Sequence, residues 1–389
     1  MVVYLDHAST TPIRPQVLAR YTEFLQVIGN PSSVHSAGQK ARQGLEEARE
    51  ELAKALGANR SEVVFTSGGT ESDNLAIKGL FWQRNKDAAR PIIVSAYTEH
   101  HAVIDPIEWL EKEHDAQAVW VPVDSRGVVD LAWLKAFVHQ NSAQIALISL
   151  MWANNETGVI TPVAEVVDIA KEFGIPVHSD AVAAVGHIAV DFAQSGLTAL
   201  SLSGHKVGAP VGVGALLVAR SAKLTSLTHG GGQERALRAG TMNAAGAKAL
   251  SLAVALSVQN LGNHAEHTSA LGARLLAGVQ EAVAGATFSR ADAPGLPNSA
   301  HFTFEGCSGD SLLFLLDQAG VCVSNGSACT AGVATASHVL IAMGRSELEA
   351  SGCIRVSFSD TTTSEDIDAF LEELPKAHLA ARRAGLTSS

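Results

Sequence analysis

From residue 92 to residue 219, short apolar runs alternate with stretches of helical period, and this alternation constrains the fold more than any other feature of the chain. The runs at 92–95, 118–121, 145–150, 175–178, 199–202 and 213–219 read as buried strands, and 103–114, 131–139 and 163–173 read as helices. Strands that alternate with helices over so long a stretch predict a mostly parallel α/β sheet covered on both faces. Sheets of that kind bind ligands at the carboxyl ends of their strands. The loops that follow the strands are therefore where chemistry is expected.

One such loop is Ser203-Gly204-His205-Lys206, which ends at the turn Gly208-Ala209-Pro210. A lysine there can be an ordinary solvated loop residue. Its flanking hydroxyl and imidazole, its glycines, and Asp180 at the end of the preceding strand favour another role. A lysine that forms a Schiff base, beside an aspartate that pairs a pyridinium nitrogen, is the protein's side of pyridoxal phosphate chemistry.

Ser67-Gly68-Gly69-Thr70-Glu71 joins the strand at 62–66 to a helix over 71–81. Backbone N–H groups at a helix start, with a hydroxyl beside them, suit a phosphate, although the same pattern also serves as a capped turn. His100 follows a strand and could stack on an aromatic ligand and move protons near neutral pH. In Trp152-Ala153-Asn154-Asn155-Glu156-Thr157-Gly158 the polar residues are turn formers or ligand contacts, and Asn155 is the candidate contact. Arg355 lies inside the strand at 353–358, either as an exposed ladder residue or as a fork for a substrate carboxylate. Cys329 sits among small turn-forming residues, Gly326-Ser327-Ala328-Cys329-Thr330, where an exposed loop thiol is expected. Cys307, Cys322 and Cys353 lie near apolar strands and read as buried.

Past residue 233 the pattern changes. An alanine-rich helical run at 244–284 precedes strands at 299–304, 321–324 and 353–358, with helices at 309–319, 338–343 and from 364 onward. This predicts a second, smaller α+β domain, which the N-terminal arm joins. The expected division is 15–255 for the large domain, and 1–14 with 256–389 for the small one.

Composition narrows the function. A net charge of −11 opposes direct nucleic-acid binding through a basic surface. No apolar run spans a bilayer, and the first residues lack the basic start of a secretory leader. Four cysteines in 389 residues make neither a disulfide framework nor a compact metal cluster, so a cytoplasmic setting and no metal site are expected.

Together these stretches resemble the cysteine desulfurases of aminotransferase class V, within the fold-type I pyridoxal-phosphate enzymes. The resemblance runs nearly end to end. It includes Tyr4-Leu5-Asp6-His7-Ala8-Ser9-Thr10-Thr11-Pro12, Gly29-Asn30-Pro31-Ser32-Ser33, Thr66-Ser67-Gly68-Gly69-Thr70-Glu71, Ser203-Gly204-His205-Lys206, His229-Gly230-Gly231-Gly232-Gln233-Glu234-Arg235 and Gly326-Ser327-Ala328-Cys329-Thr330. The last is similar to the long-loop subgroup, with a mobile cysteine loop at about 324–335.

The resemblance implies a seven-stranded sheet and a pyridoxal phosphate held by Lys206. Asp180 would face the ring nitrogen, and His100 would stack on the ring and assist proton transfer. Gly69, Thr70, Ser203 and His205 would hold the phosphate. Thr241 would reach the phosphate of the neighbouring subunit in a homodimer. Asn155 and Arg355 would bind the carboxylate of L-cysteine, and Cys329 would receive its sulfur as a persulfide while L-alanine leaves. Sulfur acceptors would be an iron–sulfur scaffold or a tRNA-thiolating enzyme. Other readings are a selenocysteine lyase, or a weakly catalytic sulfur-relay or scaffold member.

Two positions depart from the family pattern. Ala183 stands where a glutamine usually bonds the cofactor's phenolic oxygen, which predicts an altered cofactor spectrum and roughly a tenfold slower reaction, at about 1.4 kcal/mol per decade. Asp360 follows the arginine strand, where its charge would weaken a nearby anion site.

Overall fold

The computed structural model describes residues 2–326 and 336–385. The chain opens with β1 (Val3–Tyr4), α1 (Pro15–Leu25) and α2 (Ser36–Ala55), and β2 (Val63–Thr66) then leads into α3 (Gly69–Arg84). The alternation continues as β3 (Ile92–Ser95), α4 (His101–His114), β4 (Gln117–Trp120), α5 (Leu131–Asn141), β5 (Ile145–Ser149), α6 (Val163–Lys171), β6 (Val177–Asp180), α7 (Phe192–Ser195), β7 (Ala199–Ser203) and β8 (Gly214–Val218). Then come α8 (Ala244–Gln259), α9 (Leu261–Ala282), β9 (Thr287–Phe288), β10 (Ser299–Thr303), α10 (Gly309–Gln318), β11 (Val321–Cys322), α11 (His338–Ala342), α12 (Glu347–Ser351), β12 (Cys353–Ser357) and α13 (Ser364–Gly385).

Seven strands form one sheet in the order β2-β8-β7-β6-β5-β3-β4. The pairs from β7 to β4 are parallel, and only β8 runs against its neighbours. β5, β6, β7 and β8 are buried along their whole length, as strands covered on both faces must be. Apolar clusters fill both sides. One packs Leu45, Leu52, Val94, Ile148 and Leu200 together, and the other packs Leu75, Ile77, Ile93, Val103 and Leu147. The predicted α/β architecture is the one observed.

A third cluster joins Leu5, Leu271, Phe302, Ile354, Phe358 and Phe370 around the antiparallel sheet β12-β10-β9. The N-terminal arm belongs with it: β1 pairs with β11, and Asp6 bridges to Ser357.

Three local expectations need correction. The run at 244–284 is two helices, because the backbone leaves helical geometry at Asn260, where ψ is 8°. The helices α1 and α12 were not anticipated, since one buries only Val17 and the other only Ala350. Their signals lie in the end residues: Pro15 at the first turn of α1, and the reciprocal Ser346–Glu349 capping box of α12. Cys307 and Cys353 are buried, but Cys322 is part-exposed, because Val321 takes the inward position of the short β11.

Candidate active site

A cavity of about 390 Å³ opens at the carboxyl ends of β6 and β7. Lys206, Asp180, His100, Asn155, His205 and Arg355 all line it. Gly69, Thr70, Ser203 and the departure Ala183 line it as well.

Asp180 and Lys206 meet because β6 and β7 are parallel neighbours, with Asp180 in register with Ser201. Lys206 ends the single 3-10 turn that follows β7. Its Nζ donates to the carbonyls of Ala8 and Ser9, at 2.5 and 2.9 Å. The N-terminal arm is thereby drawn over the site. Asp180 accepts from the Val182 N–H at 2.8 Å. Burial pushes its carboxyl up to about 6, against the pull of that N–H and of the Lys206 charge.

Beneath Asp180 lies a buried polar layer that the sequence reading missed. His178 is bonded on one side to Ser149 Oγ (2.9 Å) and on the other to Ser201 Oγ (3.0 Å), and it stands 3.5 Å from Asp73. Burial holds its imidazole neutral, down at about 3. Asp73 is pushed well above the usual carboxylate range by burial and by the nearby Asp180.

The start of α3 is open toward the cavity. Its N-cap, Gly68, has extended backbone and no side chain to occupy the first N–H groups. A Cβ on Gly69 would sit 2.7 Å from Val182 Cγ2, so the helix start lies tight against the Asp180 turn. Gly214, at the head of β8, fits between the two neighbouring strand ends: a Cβ there would lie 2.6 Å from Gly68 Cα and 2.7 Å from the Leu202 carbonyl. The absence of that one atom lets β2 and β7 end close together. His205 stands 3.3 Å from Thr10 Oγ1, and burial and the Lys206 charge pull its imidazole down to about 4.

His100 is the N-cap of α4, and its Nδ1 accepts from the Ala102 N–H at 3.0 Å. Burial, then Lys206, lower it to about 4. The loop after β5 separates two roles. Asn154 is the turn former, with Oδ1 accepting from the N–H groups of Glu156 and Thr157, at 2.9 and 2.8 Å. Asn155 faces the cavity, and its buried Oδ1 has no hydrogen-bond partner among the described residues.

Arg355 is buried, with 4% of its side chain exposed, which excludes the exposed-ladder reading. Its Nη2 donates to Asp6 Oδ1 (3.0 Å) and Ser9 Oγ (2.7 Å), and its Nη1 donates to the Asn155 carbonyl (2.6 Å). Its buried Nε has no partner among the described residues.

One predicted residue is off the cavity lining, and one lies outside the described residues. Thr241 is exposed and does not line it. Cys329 lies outside the described residues, although Gly326, three positions earlier, is on the cavity wall. Asp360 also stands off the cavity lining, paired with the Arg14 guanidinium and hydrogen-bonded to His264. His7 and His187 line the cavity and were not singled out. His7 was visible within the N-terminal motif, whereas nothing local marks His187.

Among the described residues no group of histidine, cysteine and acidic side chains is placed to hold a metal, and no helix is long and apolar enough to cross a membrane.

Comparison with known proteins gives one family model, Aminotransferase class-V, which matches residues 3–370. An IscS-like cysteine desulfurase of Mycobacterium tuberculosis is 47% identical over 390 residues, spanning 100% of this chain and 99% of the relative. A solved NifS-like protein superposes with a TM-score of 0.88 at 35% identity, over 97% of this chain and 99% of that one. A structure described as SspA in complex with cysteine has a TM-score of 0.79 at 32% identity, over 92% and 99%.

Proposed function

The chain belongs to the aminotransferase class-V family, and from that premise we propose how its residues divide the work of a cysteine desulfurase. The protein takes sulfur from L-cysteine, releases L-alanine and passes the sulfur on. The observation that carries this reading is the meeting of Lys206, Asp180 and Arg355 on the walls of one cavity.

The residues fit pyridoxal phosphate. A primary amine and a buried carboxylate line one cavity, and an uncapped helix start lies beside Ser203. Asn155 and Arg355 line the cavity, and the buried Asn155 Oδ1 and Arg355 Nε have no partner among the described residues. When bound, the cofactor supplies an electron sink for bonds at the substrate Cα. Lys206 would hold it through Nζ. The N–H groups of Gly69 and Thr70, the Ser203 hydroxyl and His205 would receive its phosphate. Asp180 would keep the ring nitrogen protonated, a pairing that would lower the carboxyl from its buried value of about 6. His100 would lie beside the cofactor.

Arg355 and the Asn155 Nδ2–H group take the substrate carboxylate. Lys206 Nζ would move the proton at the substrate Cα. The Cβ–S bond of L-cysteine then breaks, the sulfur joins Cys329 Sγ as a persulfide, and the carbon takes up a proton and leaves as L-alanine. His100 handles the proton of the substrate thiol.

The same reading covers the parts beyond one chain. A two-fold dimer lets the exposed Thr241 reach a neighbouring phosphate. The acceptor is an iron–sulfur scaffold or a tRNA-thiolating enzyme, in the cytoplasm. Residues 15–255 form the large domain, and 1–14 with 256–389 form the small one.

The test is a turnover assay with L-cysteine and a reductant, counting alanine and sulfide for wild type and Cys329→Ser. Wild type should yield both products, and the variant should keep a yellow cofactor and make no sulfide. A cofactor-loaded wild type that releases no alanine would overturn the reading.

A further inference from the structure

The two departures from the family pattern, Ala183 and Asp360, are joined through space. Ala183 leaves a methyl on the cavity wall, and four residues along the same turn His187 lines that cavity. His187 Nδ1 meets His264 Nε2 at 2.9 Å, with the rings 5.0 Å apart. His264, on α9, is 5% exposed, and its Nδ1 is hydrogen-bonded to Asp360 Oδ1. Asp360 Oδ2 is paired with Arg14 Nη1 at 3.1 Å, and 26% of its side chain is exposed. A continuous row of ionisable groups thus runs from the cavity wall to solvent.

The proton positions in this row follow from its ends. The Asp360 carboxylate only accepts, so His264 Nδ1 carries the proton between them. A neutral His264 then offers its Nε2 lone pair, and His187 Nδ1 must be the donor. His187 Nε2, on the opposite side of its ring, is left as an acceptor. A proton arriving at His187 Nε2 releases the one on Nδ1 to His264 Nε2, and His264 Nδ1 passes its own to Asp360. His187 and His264 each take one proton and give one, and the part-exposed Asp360 carboxylate takes the last and releases it to solvent.

We propose that His187, His264 and Asp360 form a proton relay between the cavity and solvent, with His187 as the polar group on the wall that Ala183 leaves apolar. The inference rests on the reading that this cavity holds pyridoxal phosphate. The charged and titratable groups that bear on His187 are His264, Asp360, Arg14 and His7. Burial, then His264, pulls the ring down to about 3, with only Asp360 acting against them. His187 therefore conducts a proton and does not store one. Through the relay, the Asp360 charge raises the proton affinity of whatever His187 touches.

The experiment is a pH titration of the visible absorbance band of the pyridoxal-phosphate holoenzyme. It compares wild type, Asp360→Asn, His187→Ala and the double variant. The Asp360→Asn change should lower the midpoint by roughly half a pH unit or more, about a threefold change in protonation ratio. In the His187→Ala background the same change should leave the midpoint in place, since the connection is already cut. His187→Gln serves as a second background, because its amide fills the site and cannot relay. A shift of equal size with and without His187 would mean that the charge acts through space, and the relay would be wrong. A midpoint indifferent to Asp360 would also overturn it. If wild type forms no visible band with the cofactor, the cofactor reading and the relay fall together. A band that forms and ignores Asp360 removes the relay alone.

Discussion

Arg355, on β12 of the small antiparallel sheet, donates through Nη1 to the backbone carbonyl of Asn155, in the loop after β5 of the large sheet, at 2.6 Å. One guanidinium therefore ties the two sheets together across the cavity and also sets the direction of its remaining fork.

Arg355→Lys keeps the charge and loses the fork. The KM for L-cysteine should rise roughly ten- to hundredfold, the worth of a charge-assisted hydrogen bond, with a smaller change in kcat. Steady-state kinetics separates the two. A fall in kcat alone, with KM unchanged, would place Arg355 outside carboxylate binding.

Asp180 gives a pH signature in the cofactor-free protein. Its carboxyl stands at about 6 in the fold, against about 3.9 in an unfolded chain. Between those values the native state keeps a proton that the unfolded state has lost, so the contribution of this site to stability falls as pH rises from about 4 to 6. Asp180→Asn removes the titration. Its melting temperature relative to wild type should climb over that window and level off above it. Scanning calorimetry without cofactor measures this, and a flat difference would show that Asp180 is already ionised in the fold.

How far the sequence reaches is clearest at these residues. The placement of Asp180 and Lys206 was legible, because apolar runs mark strand ends and neighbouring parallel strands end together. The split between Asn154 and Asn155 was not, since both are turn formers and only the hydrogen bonds of Asn154 to Glu156 and Thr157 assign them. Arg355 read more readily as an exposed ladder residue, because its partners Asp6 and Ser9 lie in the distant N-terminal arm. The partners of His187 come from α9 and from the loop after β12, and a contact of that range leaves no local pattern.

Arg49 and Glu234 form a second test, away from the cavity. Their side chains pair at 2.5 Å and 2.8 Å, are 11% and 1% exposed, and Glu234 also accepts from the Phe65 N–H. Arg49→Met leaves a buried carboxylate without its cation and should cost about 3–5 kcal/mol. Urea denaturation reads the loss, and a cost under about 1 kcal/mol would mean that the pair does not hold Glu234 against α2 and β2.

Asp360 should protect the fold against acid. Its partners, His264 first and Arg14 after it, hold its carboxyl down at about 2. The stabilisation is complete above the unfolded value of about 3.9 and is lost as pH falls through about 2. Screening at this part-exposed site limits it to about 1 kcal/mol. The stability gap between wild type and Asp360→Asn, measured by denaturant titration, should be constant from pH 7 to 5 and narrow below 4. A gap that widens in acid would contradict the Arg14 ion pair and the His264 hydrogen bond.

Gly214 closes off a familiar compromise. Active sites commonly sacrifice stability for activity, so substitutions that firm the fold tend to blunt the chemistry. At Gly214 the contact that seats β8 between β2 and β7 is the same contact that sets the start of α3 beside the lysine turn. A library selected only for heat resistance and one selected only for turnover should both keep glycine there, each blind to what the other was asked to find.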